Sequence, residues 1–420
     1  MFKAKNFSSF KDDIVLDLRK TSIKQHPDHT FKCGDFELLK TTAIYGANAS
    51  GKSNLIRGMW AFKHFMMSQF LDKKSDINIE NEKNYRHVKM EPFLLSNPVD
   101  TAIEFEIVFS NDDYLFQYGY VTNNNIIEEE WMSVNNEIVF ERAKENKIDF
   151  GDKYKDILKE YNKLREDRLY LAILDYFIAD NTFQNILDSF KDYFNNKFNI
   201  YFELFIESSV KETIGGIRYY KKLIEDECFR KKVLDYIKKI DVGISDFYIE
   251  DETLLNIENN SKQENPPIIK TVHNVYDNNG NVIDKKYFDL SQESSGTLRF
   301  MSFIQDILSM MEIGGVFIID ELSARLHPFL TKFIVDMFQS TINKNNTQLV
   351  FTTHEISIMN KDQFRRDEVV LIDKNKQGIS SLYSLFDLGV KQDASFDKDY
   401  FKGKYGAIPI ISYSFARDCD

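Results

Sequence analysis

The chain of 420 residues has 54 Lys and Arg against 66 Asp and Glu, and a net charge of −12 argues against a protein coated by nucleic acid while leaving room for a local basic groove. It is too long for one simple core, and 43% hydrophobic residues with only 7 Pro and 17 Gly argue against long disordered linkers. Cys33, Cys228 and Cys419 form no paired spacing, and neither a charged-then-apolar opening nor a run of 18 apolar residues occurs. A soluble, cytoplasmic chain in a reducing compartment, with no membrane span and no Cys-built metal site, is therefore expected.

In chain order, residues 1–20 read as two short strands around Asn6-Phe7-Ser8-Ser9-Phe10. Thr42–Tyr45 reads as a buried strand, and a helix rich in Phe and Met covers 53–72. Between them lies Gly46-Ala47-Asn48-Ala49-Ser50-Gly51-Lys52-Ser53, the phosphate-cradling pattern G-x-x-x-x-G-K-[ST] in its strand–loop–helix context. Glycines let backbone N–H groups close on phosphate oxygens, and the helix N-terminus adds positive potential. Gly46, Asn48, Ser50, Gly51, Lys52, Ser53 and Asn54 are the candidate nucleotide-binding residues, with Lys52 on the β/γ-phosphates and Ser53 on Mg²⁺. ATP and Mg²⁺ are the expected ligands.

Residues 73–90 read as a polar loop. Thr101–Phe109 alternates cleanly, Tyr114–Val121 follows the turn Asn111-Asp112-Asp113, and Asn135-Asn136 reads as a turn between Trp131–Val134 and Glu137–Phe140. This block predicts an antiparallel sheet with half-buried strands. Residues 152–240 then carry helix-period apolar positions among many Lys and Glu, and read as a helical insertion. A solvated lobe without chemistry and a partner-binding lobe are both compatible with it. Residues 257–266 and 276–284 read as polar loops.

From 285 the α/β pattern returns. Ser291–Arg299 precedes an apolar-periodic helix over Phe300–Met311. Its Ser294, Ser295 and Gly296 either form a second anion-binding helix start or are an ordinary N-cap. The apolar strand Gly315–Ile319 delivers Asp320 and Glu321, a Walker B arrangement in which Asp320 would hold Mg²⁺ and Glu321 would polarise the attacking water. The strand Gln348–Thr353 ends at His354, either a polar cap or a γ-phosphate sensor; the order P-loop, Asp-Glu, Thr-Thr-His favours the sensor. A strand over Glu368–Ile372 follows.

Taken together, these motifs resemble the ABC-type ATPases related to SMC and OLD proteins, and most nearly the stand-alone AAA-type ATPases of bacterial abortive-infection and restriction-linked operons, the RloA/AbiL type. The residues that carry the likeness are Asn6–Phe10, Gly46–Ser53, Glu91-Pro92-Phe93, Glu293–Arg299, Phe317–Pro328, Phe351–Glu355 and Tyr400–Pro409. The resemblance implies an α/β ABC-type P-loop ATPase head with an antiparallel β-subdomain and an α-helical insertion. It divides the chain into an N-terminal ATPase lobe (1–150), the insertion (151–240) and a C-terminal lobe (241–420).

It further implies that Ser294, Ser295 and Gly296 are a signature motif completing the site of a second subunit, and that Glu321–Pro328 is a D-loop on the same seam. No glutamine stands in a Q-loop context; the region near Met90–Phe93 is where one would look. Phe10 is either an adenine-stacking ring or a core phenylalanine. The family implies a homodimer or larger homo-oligomer that guards cells against phage, with a separate nuclease or toxin effector from the same operon and a phage-derived trigger. Only 66 residues follow His354, too few for the metal-binding TOPRIM nuclease domain of OLD proteins, so effector chemistry is expected in trans. The alternative is an SMC-like DNA-repair or chromosome-maintenance ATPase that binds DNA. In that reading the insertion is an arm of roughly 60 Å at about 1.5 Å per residue, short for that class.

Overall fold

The computed structural model describes residues 1–70, 90–202, 222–250 and 268–409. The expected loops at 73–90 and 257–266 lie wholly or almost wholly outside these residues, as does Cys419. A seven-stranded antiparallel sheet is built from β1 (Phe2–Lys5), β2 (Ile14–Leu16), β6 (Ala102–Asn111), β7 (Tyr114–Asn123), β8 (Ile126–Val134), β9 (Glu137–Ala143) and β10 (Lys147–Phe150). Its order is β10-β9-β8-β7-β6-β1-β2. The alternation read in β6 is what builds it: Ile103, Phe105, Ile107 and Phe109 all turn to one buried face. Asn135 and Asn136 both adopt positive φ, 52° and 64°, as the two-residue turn between β8 and β9 requires. A small ribbon of β3 (Thr30–Cys33) and β4 (Phe36–Leu39) lies between β2 and the next strand.

The second large sheet has the order β11-β15-β16-β5-β17-β18, with β5 (Thr41–Tyr45), β11 (Phe198–Tyr201), β15 (Val316–Ile319), β16 (Gln348–Thr352), β17 (Val369–Lys374) and β18 (Ser380–Ser384). Its first five strands run parallel, and only β18 is antiparallel to its neighbour. Both faces of such a sheet are covered, which is why β5, β15 and β16 are buried along their whole length. Alternate residues feed two cores. Ile44, Val316, Ile318 and Val350 join a core with α1 (Lys52–Gln69) and the antiparallel sheet. Ala43, Tyr45, Phe317, Ile319 and Phe351 join another with α6 (Ser295–Ile313) and α7 (Pro328–Gln339).

The stretch 151–240 contains helices, as expected: α2 (Lys155–Leu158), α3 (Tyr170–Phe177), α4 (Asn181–Asp192) and α5 (Glu227–Ile240). It also contains β11, which the helical reading lacks. β11 is a rung of the parallel sheet, pairing with β15 from Phe198↔Val316 to Tyr201↔Ile319. α3 and α4 pack under the antiparallel sheet through Leu171, Phe183 and Phe190, whereas α5 joins the other core through Phe229, Val233 and Ile237. The polar stretch 276–284 is the tip of a hairpin between β13 (Ile268–Tyr276) and β14 (Val282–Asp289), which with β12 (Ile244–Glu250) forms a three-stranded sheet. The chain ends its described part in α8 (Phe396–Phe401) and the turns to residue 409. No described helix is long and apolar enough to cross a membrane.

Candidate nucleotide site

Three neighbouring parallel strands, β5, β16 and β15, deliver their C-terminal ends to one place. In open parallel sheets that edge is where ligands bind. β5 runs into Gly46 and the loop, then into α1 with Gly51 as N-cap. The loop leaves no space for side chains at its glycines. A Cβ on Gly46 would stand 2.4 Å from the Ile372 carbonyl oxygen, and one on Gly51 would stand 2.6 Å from Ser380 Oγ and 2.9 Å from Ser9 Oγ. Gly51 also has φ 120°, a conformation L side chains rarely adopt. Behind the loop, Asn54 Nδ2 donates to Ser9 Oγ at 2.9 Å, and Ser380 Oγ donates to the Ser50 carbonyl at 2.5 Å and accepts from Ser9 Oγ at 2.9 Å.

Lys52 is buried and donates to the carbonyls of Gly46 at 2.9 Å and Ala47 at 3.1 Å. Burial lowers its pKa below the usual lysine value, against the opposing pull of Glu321 and Asp320. Ser53 Oγ donates to Asp320 Oδ1 at 3.3 Å. Asn48 is exposed on the outer side of the loop, while Ser50 is buried in it.

Thr352, at the end of β16, ties the carboxylates together. Its Oγ1 donates to Asp320 Oδ1 at 2.7 Å and accepts from the Glu321 backbone N–H at 2.7 Å. Glu321 has φ 56°, a left-handed backbone that is costly for a residue with a Cβ. Its Oε1 lies 3.3 Å from His354 Nε2. Burial pushes the Glu321 carboxyl up, but the His354 hydrogen bond and the charges of His354, Lys52 and Arg299 outweigh it and hold the pKa below the usual value. Arg299, buried in α6, donates through Nη2 to the Glu321 carbonyl at 2.7 Å.

Lys52, Ser53, Asp320, Glu321 and His354 thus gather in one chain. Ser294, Ser295 and Gly296 do not join them. Ser294 is the N-cap of α6, its Oγ accepting from Thr297 N at 3.0 Å, and both Ser294 and Ser295 are exposed. Thr297 Oγ1 donates to Asp241 Oδ2 at 3.0 Å, which steadies that helix start from the end of α5. The N-cap alternative therefore holds as geometry, and it also leaves the helix start facing outward. Phe10 is fully buried and is a core phenylalanine. Met90–Phe93 packs against the Asn6 loop, with Ser8 N donating to the Glu91 carbonyl at 2.7 Å and Phe93 N donating to Asn6 Oδ1 at 3.1 Å.

Thr352, Arg299 and Ser9 enter the sequence reading only inside longer segments and without a role, and Ser380 does not enter it. Thr352 was legible as a polar residue closing an apolar strand beside His354; Ser380 carries no local signal at all.

The donor set fits a nucleoside triphosphate with Mg²⁺. A buried ammonium faces loop carbonyls, the loop glycines admit no Cβ, and a hydroxyl and a carboxylate converge as hard oxygen donors.

The family model described as "AAA domain, putative AbiEii toxin, Type IV TA system" matches residues 41–360. No curated protein matches the chain. Among solved structures, an SMC head bound to the C-winged helix domain of ScpA is similar at 14% identity and TM-score 0.45, covering 94% of this chain and 98% of that one. The SMC head domain from Thermotoga maritima is similar at 14% identity and TM-score 0.41, with 91% and 97% covered. An Smc head with an extended coiled coil, bound to the C-terminal domain of ScpA derived from Pyrococcus furiosus, is similar at 13% identity and TM-score 0.40, with 96% and 98% covered. The strand order and the placement of the motifs make an α/β P-loop head.

Proposed function

We propose a function from one premise: the chain belongs to the AAA-domain family described as putative AbiEii toxin, Type IV TA system. It is an ABC-type, SMC-like AAA ATPase, and our reading is that it hydrolyses ATP as the nucleotide-dependent sensor or scaffold of an anti-phage, abortive-infection system. The observation that carries the ATPase part is Thr352 holding Asp320 and Glu321 beside Ser53, Lys52 and His354. Lys52 neutralises phosphate charge, and the loop N–H groups and the start of α1 orient the phosphates. Ser53 and Asp320 hold Mg²⁺, which when bound neutralises charge developing on the phosphate oxygens. Glu321, kept ionised by its neighbours, accepts the proton of the attacking water. His354 positions Glu321 and reads the γ-phosphate. Ser294, Ser295 and Gly296, exposed at the start of α6, complete the site of a second copy, so ATP joins two heads and hydrolysis lets them part.

The defence assignment is supported by the family description and by the resemblance of the terminal segments. It places effector chemistry in a separate protein of the same operon, released on a phage-derived trigger. Two measurements test the reading. One is the mass of the complex purified from its native operon, with ATP and with Glu321→Gln. Co-purification of a neighbouring protein with an oligomeric ATPase supports it. A lone protein that dimerises with ATP and is stimulated by salt-sensitive DNA binding overturns it in favour of a repair ATPase. The other is phage challenge: protection retained by both Lys52→Ala and Glu321→Gln removes ATP turnover from the defence.

A further inference from the structure

The segment His26-Pro27-Asp28-His29 lies just before β3, beside residues 361–368 that precede β17, and plays no part in the nucleotide site. Pro27–His29 forms one 3-10 turn, closed by His29 N donating to the His26 carbonyl at 3.0 Å. In a 3-10 turn, residues three apart eclipse. The two imidazoles accordingly stack, with centroids 4.6 Å apart and planes 22° apart. His26 enters the turn in the left-handed region, φ 46° and ψ 63°, a strained backbone for a residue with a Cβ.

The hydrogen bonds of each ring settle its tautomer. His26 Nε2 lies 2.8 Å from the Lys361 carbonyl oxygen, which can only accept, so Nε2 carries the proton and Nδ1 the lone pair. His29 Nδ1 lies 2.9 Å from Glu368 Oε2. Glu368 is fully buried and also accepts from Thr41 Oγ1 at 2.6 Å and from Arg365 N at 2.8 Å. Facing that carboxylate, His29 Nδ1 is the donor and Nε2 carries the lone pair. Each histidine thus gives one ring N–H to a fixed oxygen and keeps the other nitrogen bare. This is the outer-shell arrangement that orients metal-ligating histidines. Asp28 adds an exposed carboxylate, and one ligand atom from each of the three residues lies within 4.8 Å of the others.

We propose that His26, Asp28 and His29 form a binding site for a divalent transition metal, zinc foremost. Two imidazole nitrogens and one carboxylate oxygen suit Zn²⁺ or Co²⁺ rather than Mg²⁺ or Ca²⁺, and leave a fourth position for water. Ligand atoms around zinc stand ~3.3 Å apart in a tetrahedron of the usual bond lengths, so binding draws the exposed Asp28 and the half-exposed His26 inward onto the buried His29. The ion would pin the turn before β3 to the segment 361–368 through His26 and Glu368, at the end of the parallel sheet opposite the nucleotide.

The test uses the full chain, stripped with chelator, free of nucleotide, and titrated with Co²⁺ while its visible absorption is followed. The expected result is a band of low-coordinate Co²⁺ that saturates at a single ion per chain and is bleached by Zn²⁺. His26→Gly accepts the left-handed backbone without strain, and an unchanged thermal unfolding midpoint shows that loss of binding there is not a folding effect. It and Asp28→Asn are each expected to weaken Co²⁺ binding at least ~10-fold. Asp320→Asn is expected to bind as the wild type does, which separates this site from the nucleotide's metal. No saturable band in the wild type overturns the proposal, as does a His26→Gly protein that binds Co²⁺ unchanged.

Discussion

Thr352 is a small side chain with two duties: one oxygen donates to the Asp320 carboxylate and accepts from the Glu321 backbone. Thr352→Val keeps the β-branched shape and removes both bonds. We expect it to lower single-turnover hydrolysis ~10- to 100-fold while nucleotide binding changes little, since the binding groups lie on the loop. Glu321→Gln should cost ~100-fold or more in the same assay and leave ATP bound. The Glu321 carboxyl is held low chiefly against burial, by His354 first and then Lys52 and Arg299. A base with a depressed pKa stays ionised down to low pH. His354→Ala should therefore move the acid limb of kcat/KM to higher pH; an unmoved limb would mean that His354 does not tune Glu321. Lys52, Ser53, Asp320, Glu321 and His354, which the fold gathers, were legible in the sequence because they sit in local motifs. Thr352 was half legible, and Ser9 and Ser380 were not, because they reach the loop from positions hundreds of residues apart in the chain.

At the level of elements, the start of α3 is closed by a buried acid rather than by a residue of its own turn. Glu130, from β8, accepts from Leu171 N at 3.0 Å and from Tyr118 Oη at 3.0 Å, and also from Tyr170 N. Burial pushes its pKa from 4.5 up to about 7, against those hydrogen bonds and the charge of Arg142. The folded state therefore holds this proton more tightly than the unfolded chain does. Its contribution to stability is complete below the unfolded value and is lost as pH rises through about 7, a change of about 3 kcal/mol. Unfolding followed from pH 5 to 8 should show that slope in the wild type and not in Glu130→Gln; parallel profiles would refute it. The loop has a comparable dependence on its backing. Gly51→Ala would press a methyl group on Ser380 and Ser9 at φ 120°, and a strain of ~1–3 kcal/mol should weaken ATP binding ~10-fold or more. β6 could be read from alternation, and β7, β8 and β9 from the turns that join them, while β10, four residues long, was not read. Nor could β11 be read, because four residues, Phe198–Tyr201, give too little periodicity to separate a strand from the helices around it.

Across the whole molecule, the exposed Ser294 and Ser295 at one end of α6 and the gathered P-loop groups elsewhere make a single chain an unfinished enzyme in our reading. Mixing two inactive proteins, Lys52→Ala and Ser294→Arg, should restore part of the hydrolysis. A mixed pair has one intact loop facing one intact helix start. Activity that stays absent would argue for a site completed within one chain. The sequence suggested such a division through motif order, but not that 151–240 supplies a rung of the parallel sheet. Removing 152–240 to probe partner binding would therefore also unmake the edge beside Asp320. That edge has a further consequence. The Tyr201 carbonyl accepts the backbone N–H of Asp320 at 2.8 Å. Solvent deuterium cannot reach that amide until β11 lets go, so the exchange time of a single proton would clock how often the head opens beside Asp320, and any bound protein that slowed it would be seen from the outside of the sheet.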